Sequence, residues 1–198
     1  MVYPFAEARA VLERCADIAA SSPEDLTVEL GCVGAPDVKP VVLVHPTWCG
    51  LPTDGETRLA PFLKLGTLLA GNLKAMSYGT SLTLYDPYIL NGQRAFMDTC
   101  WLPALDSDGI DVFVETMTTA VSPGCAVFTH EFKGAASRVP AEATAFGLRR
   151  DHVLVEILAA FVDRSDKEEE QRHRQWARAT RQAFAPMALP GGGRVKTP

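Results

Sequence analysis

The sequence lacks any long apolar run. No stretch approaches the roughly 18 consecutive apolar residues that a membrane-spanning helix needs. The first residues also lack the basic segment that precedes the apolar core of a secretory signal. We therefore expect a soluble protein without a membrane partner, located in the cytoplasm.

An excess of positive charge is also missing. The chain has 19 Lys and Arg against 24 Asp and Glu, which gives a net charge of -5 and a pI of about 5.4. Binding to nucleic-acid phosphates needs a concentrated basic surface, so we expect no nucleic-acid partner. The charge run over residues 164–174 contains both signs, which is typical of a solvated helix face.

Paired cysteines and a nucleotide-binding glycine motif are the last two absences. The five cysteines are an odd number, widely spread, with no C-x-x-C pair and no His at ligand spacing, which predicts reduced residues and no metal site. The sequence has no G-x-G-x-x-G after a strand, and no helix follows the triple glycine at 191–193. We expect one domain over residues 1–190 and a flexible tail over 191–198.

The apolar pattern that is present predicts both helices and strands. Residues 4–20 repeat apolar side chains at steps of three and four, which indicates an amphipathic helix, and similar patterns begin near residues 53, 107 and 167. Residues 26–33, 41–48, 125–133 and 153–162 are typical of strands. Residues 74–94 have no clean period and predict a long functional or interface loop. The resulting fold class is α+β, an antiparallel sheet with helices mainly on one face.

Glu156 is the most informative single residue. All residues from Val153 to Val162 except Glu156 are apolar. A run without alternation predicts a strand that is covered on both faces. An ionised group placed there must be paired or must serve chemistry. Two interpretations stay open: an ion pair with Arg138 or Arg149, or a catalytic proton acceptor.

Other polar residues are weaker candidates for a site. His45 and His130 each suit a hydrogen-bonded core or edge histidine as well as a substrate contact. Tyr78 either anchors its loop or contacts substrate. The residues interpreted as lining one polar face of the sheet are Glu29, His45, Glu131 and Glu156.

The segment from Phe128 to Asp163 resembles the substrate-binding domain of FAD-linked oxidases of the berberine bridge enzyme-like kind, in the vanillyl-alcohol oxidase superfamily. That family's pattern runs from a Gly-Gly-Ala turn through Arg, Thr-Ala-Phe and Arg to a strand that ends in an aromatic residue and Asp. The matching positions here are Gly134-Ala135-Ala136, Arg138, Thr144-Ala145-Phe146, Arg149 and Phe161-Val162-Asp163. Met76-Ser77-Tyr78 is similar to the family's Met-Pro-Tyr loop, with Ser77 where Pro is usual.

The resemblance implies an oxidoreductase that passes a hydride from a small-molecule substrate to FAD. In the family, two regions absent from this sequence hold the cofactor. We therefore expect FAD to be supplied by a separate FAD-binding domain or subunit, with none bound to this chain alone and no activity without that partner. The resemblance places Glu156 at the family's general-base position. The implied substrate-binding candidates are Tyr78, His45, His130, Glu131 and Arg149.

A second hypothesis is a non-catalytic binding or assembly module. Without its flavin-bearing partner, the former flavin-facing surface would be an exposed apolar patch, and the chain would form a homo-oligomer through it. A third hypothesis, an enzyme without a cofactor that uses Glu156 and Tyr78, has no motif in its support.

Overall fold

The computed structural model describes residues 1–35, 38–86, 92–161 and 166–190. Its strands are β1 (Val2–Pro4), β2 (Leu26–Ala35), β3 (Val38–Trp48), β4 (Arg94–Leu102), β5 (Cys125–Phe132) and β6 (His152–Phe161). Its helices are α1 (Ala8–Ala20), α2 (Pro52–Leu59), α3 (Tyr78–Ser81), α4 (Ser107–Thr118) and α5 (Lys167–Phe184). The predicted tail at 191–198 and the Val162-Asp163 end of the family pattern lie outside the described residues. No helix in the described ranges has the length and apolar character to cross a membrane.

The strands form one antiparallel sheet in the order β1-β3-β2-β5-β6-β4. β2 and β3 pair along almost their whole length, from Leu26 opposite Trp48 to Ala35 opposite Val38. β5 and β6 pair from Cys125 opposite Ala159 to Phe132 opposite His152. The predicted α+β class and antiparallel sheet are therefore confirmed.

Helices α1, α4 and α5 pack on one face of the sheet, as predicted. Because side chains alternate along a strand, every second residue of each central strand points into this layer. Fully or almost fully buried examples are Val28, Cys32, Val44, Cys100, Val127, Val155 and Ile157. From the helices, Leu12, Phe113 and Trp176 complete the same core. This layer contains most of the buried apolar side chains.

Aspartate caps fix the starts of two of these helices. The Asp106 carboxylate accepts a hydrogen bond of 2.9 Å from the backbone N–H of Gly109, ahead of α4. Asp166 accepts from the N–H groups of Glu168 and Glu169, both at 2.9 Å, ahead of α5. Such caps satisfy donors that the first helical turn leaves free. The sequence therefore specifies where α4 and α5 begin.

Strand β4 was not predicted from the sequence, because its polar residues break the apolar pattern. Arg94 and Asp98 point toward the helix layer, yet both find charged partners on α5. Arg94 pairs with Glu170 at 3.3 Å, and Asp98 pairs with Arg181 at 3.1 Å. A strand at the sheet edge can carry charged residues here because α5 lies close enough to form ion pairs with them.

The prediction that β6 is covered on both faces is wrong. Val155, Ile157 and Ala159 are fully buried beneath the helices, whereas Leu154 and Glu156 on the opposite face keep partial exposure. Helices α1, α4 and α5 all pack on the face that carries Val155 and Ile157. The sheet surface opposite the helices, which carries Glu29, His45, Phe128, His130 and Glu156, is called the open face below.

Gly31 shapes this open face because a larger residue would collide with Phe128. The two residues pair across β2 and β5, and a Cβ at position 31 would lie 2.7 Å from Cδ1 of the Phe128 ring. We expect Gly31→Ala to lower the free energy of unfolding by about 1–3 kcal/mol, the usual cost of overpacking. Urea unfolding measures this difference. Gly147→Ala is the matched control, since no atom lies within 4 Å of a Cβ there. Equal stability of the two variants would contradict the steric argument.

Candidate functional site

A histidine and a carboxylate form a pair near the middle of the open face. His130 on β5 donates a hydrogen bond from Nε2 to Oε2 of Glu156 on β6, at 3.0 Å. The side chains keep 39% and 24% of their accessible surface, so solvent or a ligand can reach both. The register explains the meeting: Glu156 lies opposite Phe128, and His130 lies two residues farther along on the same face.

The prediction of an ion pair between Glu156 and Arg138 or Arg149 is wrong. Arg138 pairs with Glu24, and Arg149 donates from Nε to the backbone carbonyl of Phe146 at 3.0 Å. Both arginines lie in the connection between β5 and β6, and their hydrogen bonds and ion pairs go to other groups than Glu156. Glu156 therefore has a titratable partner, His130, instead of a permanently charged one.

A second polar cluster lies beside the first and consists of Glu29, His45 and Tyr85. The Tyr85 hydroxyl donates to Oε2 of Glu29 at 3.3 Å and lies 2.9 Å from Nδ1 of His45. The same His45 nitrogen is 3.5 Å from Oε2 of Glu29. Burial, together with the Glu29 charge, raises the pKa of Tyr85, so its hydroxyl stays a hydrogen-bond donor at neutral pH. A small cavity of about 150 Å³ adjoins His45 and Tyr85.

Electrostatics link the two polar clusters. The hydrogen bond to Glu156 raises the pKa of His130; burial opposes this effect, and the charges of Glu29 and Glu156 add to it. For Glu29, burial alone would raise the pKa, but hydrogen bonds from His45 and Tyr85 and the charge of His130 outweigh it and the pKa is lowered. The open face therefore favours an ionised Glu29 and a protonated His130.

The raised pKa of His130 predicts a specific pH dependence. We expect NMR titration to place the His130 pKa above the ordinary value of 6.5. Because the folded state holds this proton more tightly, the contribution of His130 to stability is complete below pH 6.5 and is lost as pH rises through its folded pKa. Glu156→Gln should lower the His130 pKa, whereas Glu142→Gln on the exposed connection should leave it unchanged. An identical titration in both variants would contradict the pairing.

Aromatic side chains border the open face at one end. Phe146 in the β5–β6 connection packs against Phe132 and Trp101, with ring centroids 5.0 and 5.7 Å apart. His152 stacks on Phe132 at 4.6 Å. Arg149 lies over the Phe146 ring at 5.1 Å and bonds to the carbonyls of Phe146 and Ala136. This aromatic border gives the polar centre an apolar neighbour on which a planar ligand could stack.

The structure separates the predicted site residues. His45, His130 and Glu156 lie on the open face, while Arg149 holds the β5–β6 connection through the carbonyls of Phe146 and Ala136. Glu131 is on the opposite face, because it neighbours His130 in β5 and successive side chains alternate; its carboxylate accepts from the backbone N–H of Val28 at 2.8 Å. The prediction that Glu131 shares a polar face with Glu156 is therefore wrong. Tyr78 begins α3 and is 79% exposed.

Sequence reasoning did not assign Tyr85, Trp101 or Phe132 to the site. The alternation of side chains along β5 places Phe132 on the same face as His130. Trp101 could have been found in the same way if β4 had been recognised and paired with β6. Tyr85 comes from a segment without periodicity, and only folding brings it to His45. Within the described ranges, no group of three or more His, Cys, Asp or Glu side chains is arranged to hold a metal ion.

Comparisons with known proteins identify the fold. No family model matches the sequence, and no curated protein matches it. Solved structures do match. Berberine bridge enzyme from Eschscholzia californica superposes with a TM-score of 0.75 at 17% identity, over 96% of this chain and 40% of that one. 6-Hydroxy-D-nicotine oxidase from Arthrobacter nicotinovorans gives 0.75 at 16% identity, over 98% and 44%. BBE-like #28 from Arabidopsis thaliana superposes with a TM-score of 0.77 at 13% identity, over 96% of this chain and 43% of that one.

These matches define the class to which the fold belongs. The chain spans about two fifths of the length of each of these structures, and nearly all of it takes part in the superposition. The chain therefore has the fold of one portion of the berberine bridge enzyme-like oxidases. The resemblance seen in the sequence is confirmed at the level of the fold.

Proposed function

We propose that this chain is the substrate-binding portion of an FAD-linked oxidoreductase. The observation that carries the proposal is the His130–Glu156 pair, which is reachable from solvent at the middle of the open face and has an aromatic border at one end. A binding site for a small organic molecule combines a few convergent polar groups with apolar walls. The open face supplies both, on rigid strands that hold the polar groups in place.

The chemistry assigned to this chain is proton transfer. Glu156 accepts a proton from a substrate hydroxyl or from an acidic C–H group, and His130 keeps the carboxylate oriented through its hydrogen bond. Tyr85 and His45 lie beside this pair as hydrogen-bond partners for a polar group of the substrate. A bound flavin would supply the hydride acceptor.

The residues present fit a role in covering a flavin rather than in holding it alone. The open face offers a sheet surface on which the Phe128 ring lies over Gly31, and a planar ring system can lie against it. A dinucleotide also needs a cradle of backbone N–H groups for its pyrophosphate, and the sequence offers no glycine-rich motif of that kind. The cofactor is therefore assigned to an FAD-binding domain or subunit that joins this chain at the open face.

Flavin binding tests the division of roles. The chain is mixed with FAD, passed through gel filtration, and its absorption spectrum is recorded. The proposal expects no retained flavin from the chain alone and retained flavin once the FAD-binding partner polypeptide is present. Flavin recovered with the chain alone would contradict the assignment. A complex that retains flavin but does not shield the open-face residues from solvent exchange would also contradict it.

One observation favours the assembly-module alternative. Met97 on β4 is 63% exposed on the same side of the sheet as Glu156, next to the partly exposed Leu158. Apolar side chains in this position suit contact with another protein surface. Sedimentation of the wild-type chain and of Met97→Lys separates the hypotheses: self-association that is lost in the variant supports the homo-oligomer, and a monomeric wild type argues against it.

A further inference from the structure

A cavity of about 390 Å³ lies on the helix-covered side of the sheet and reaches Phe132 and His152 of the aromatic border at the sheet end. It is bounded by the C-terminal half of α1, the loop after β4 and the adjoining ends of β2, β5 and β6. Small-molecule sites in proteins typically measure about 300–1,000 Å³, so this volume suits a small ligand. We call it the α1 cavity.

Small side chains on the helix create the space. Where α1 passes over this end of the sheet it presents Ala16 and Ala19, and the loop after β4 presents Ala104. Protein interiors are normally filled to the density of organic crystals, which needs larger residues between a helix and a sheet. The floor is apolar and includes Cys15, Val28 and Leu30, all buried. A ligand entering here would therefore bury an apolar group.

The polar part of the lining is predominantly acidic. Three carboxylates, Glu24, Glu131 and Asp151, line the cavity with a single amine, that of Lys133. Lys133 lies 3.2 Å from Glu131, and Glu24 pairs with Arg138. Asp151 forms no hydrogen bond or ion pair within the described part of the chain. Its charge interacts through space with the Arg138 guanidinium, which already pairs with Glu24, so the three carboxylates share two cations, Lys133 and Arg138.

We propose that the α1 cavity binds a small molecule that joins an apolar, ring-sized body to a protonated amine. The body would lie on the floor beside Cys15 and Leu30, and the ammonium group would lie at the mouth near Asp151. The carboxylate of Glu131 is held in place by the N–H of Val28 at 2.8 Å, so it needs no rearrangement to face the ligand. This proposal does not depend on the function proposed above.

Three probes of similar shape test the charge preference: 2-phenylethylamine, 2-phenylethanol and 3-phenylpropionate. The full chain, labelled with ¹⁵N, is titrated with each while amide shifts are recorded. The amine is expected to bind at least about tenfold more tightly than the carboxylate, a modest electrostatic difference, with shifts concentrated at Ala19, Gly134 and Val153. Shifts centred on Glu156 and His130, equal affinity for the three probes, or no saturation below about 10 mM would overturn the proposal.

Two variants test the location. Ala19→Phe fills the cavity from a partly exposed helix position and should abolish the shifts. Asp151→Asn should weaken binding of the amine about tenfold and leave binding of the alcohol unchanged. Asp17→Asn, an exposed carboxylate on the same helix that does not line the cavity, is the matched control and should behave like the wild type. Unaltered amine binding by Ala19→Phe, with its fold confirmed by the amide spectrum, would overturn the assignment.

Discussion

Replacing Glu156 with Gln is expected to lower turnover of the flavin-containing assembly about 100-fold or more, the usual cost of removing a general base. Glutamine keeps the size of the side chain and can still accept a hydrogen bond from His130 through its amide oxygen. It cannot take up a proton in the reaction. The loss should therefore appear in the rate of substrate-dependent flavin reduction, measured by anaerobic stopped-flow absorption, and substrate affinity should change much less.

The control for this variant is the same substitution at an exposed position. Glu115 is an exposed residue of α4, on the far side of the helix layer from the open face, and Glu115→Gln should retain wild-type turnover. His130→Gln separates orientation from proton transfer. It should lower turnover less than Glu156→Gln and should move the pH profile of the rate, because the carboxylate loses its titratable partner. Wild-type turnover in Glu156→Gln would assign the pair a purely structural role.

The largest effect on stability is expected from Phe113→Ala, which should lower the free energy of unfolding by about 3–5 kcal/mol. Phe113 is fully buried in α4 within the core between helices and sheet. Truncation removes buried apolar surface and leaves a cavity that the rigid sheet cannot close. Urea unfolding followed by circular dichroism measures the change.

Met97→Ala is the comparison for the opposite side of the sheet. Met97 is 63% exposed on the open face, so its truncation should change stability by less than about 0.5 kcal/mol. A large loss of stability in Met97→Ala and a small one in Phe113→Ala would contradict this architecture. It would mean that the open face is buried and that the core beneath the helices is poorly packed.

The sequence determined most of the secondary structure by itself. Periodic apolar positions predicted α1, β2, β3, β5 and β6, and aspartates at 106 and 166 marked the starts of α4 and α5. These signals are local, because helix and strand periods and N-terminal caps depend on neighbouring residues. The α+β class followed from their order. The carboxylate at Glu156 was also recognisable, since a single charge in an apolar strand needs a partner or a role.

Only the tertiary structure decided which residues meet. The partner of Glu156 is His130 rather than an arginine, and this depends on the register of β5 against β6. Glu131 lies on the other face from its neighbour His130, and Tyr85 reaches His45 from a segment with no periodic signal. Strand β4 pairs with β6 and carries its charged residues Arg94 and Asp98 opposite Glu170 and Arg181 of α5. Pairing across a sheet and between layers joins residues far apart in the chain, and no local pattern contains that information.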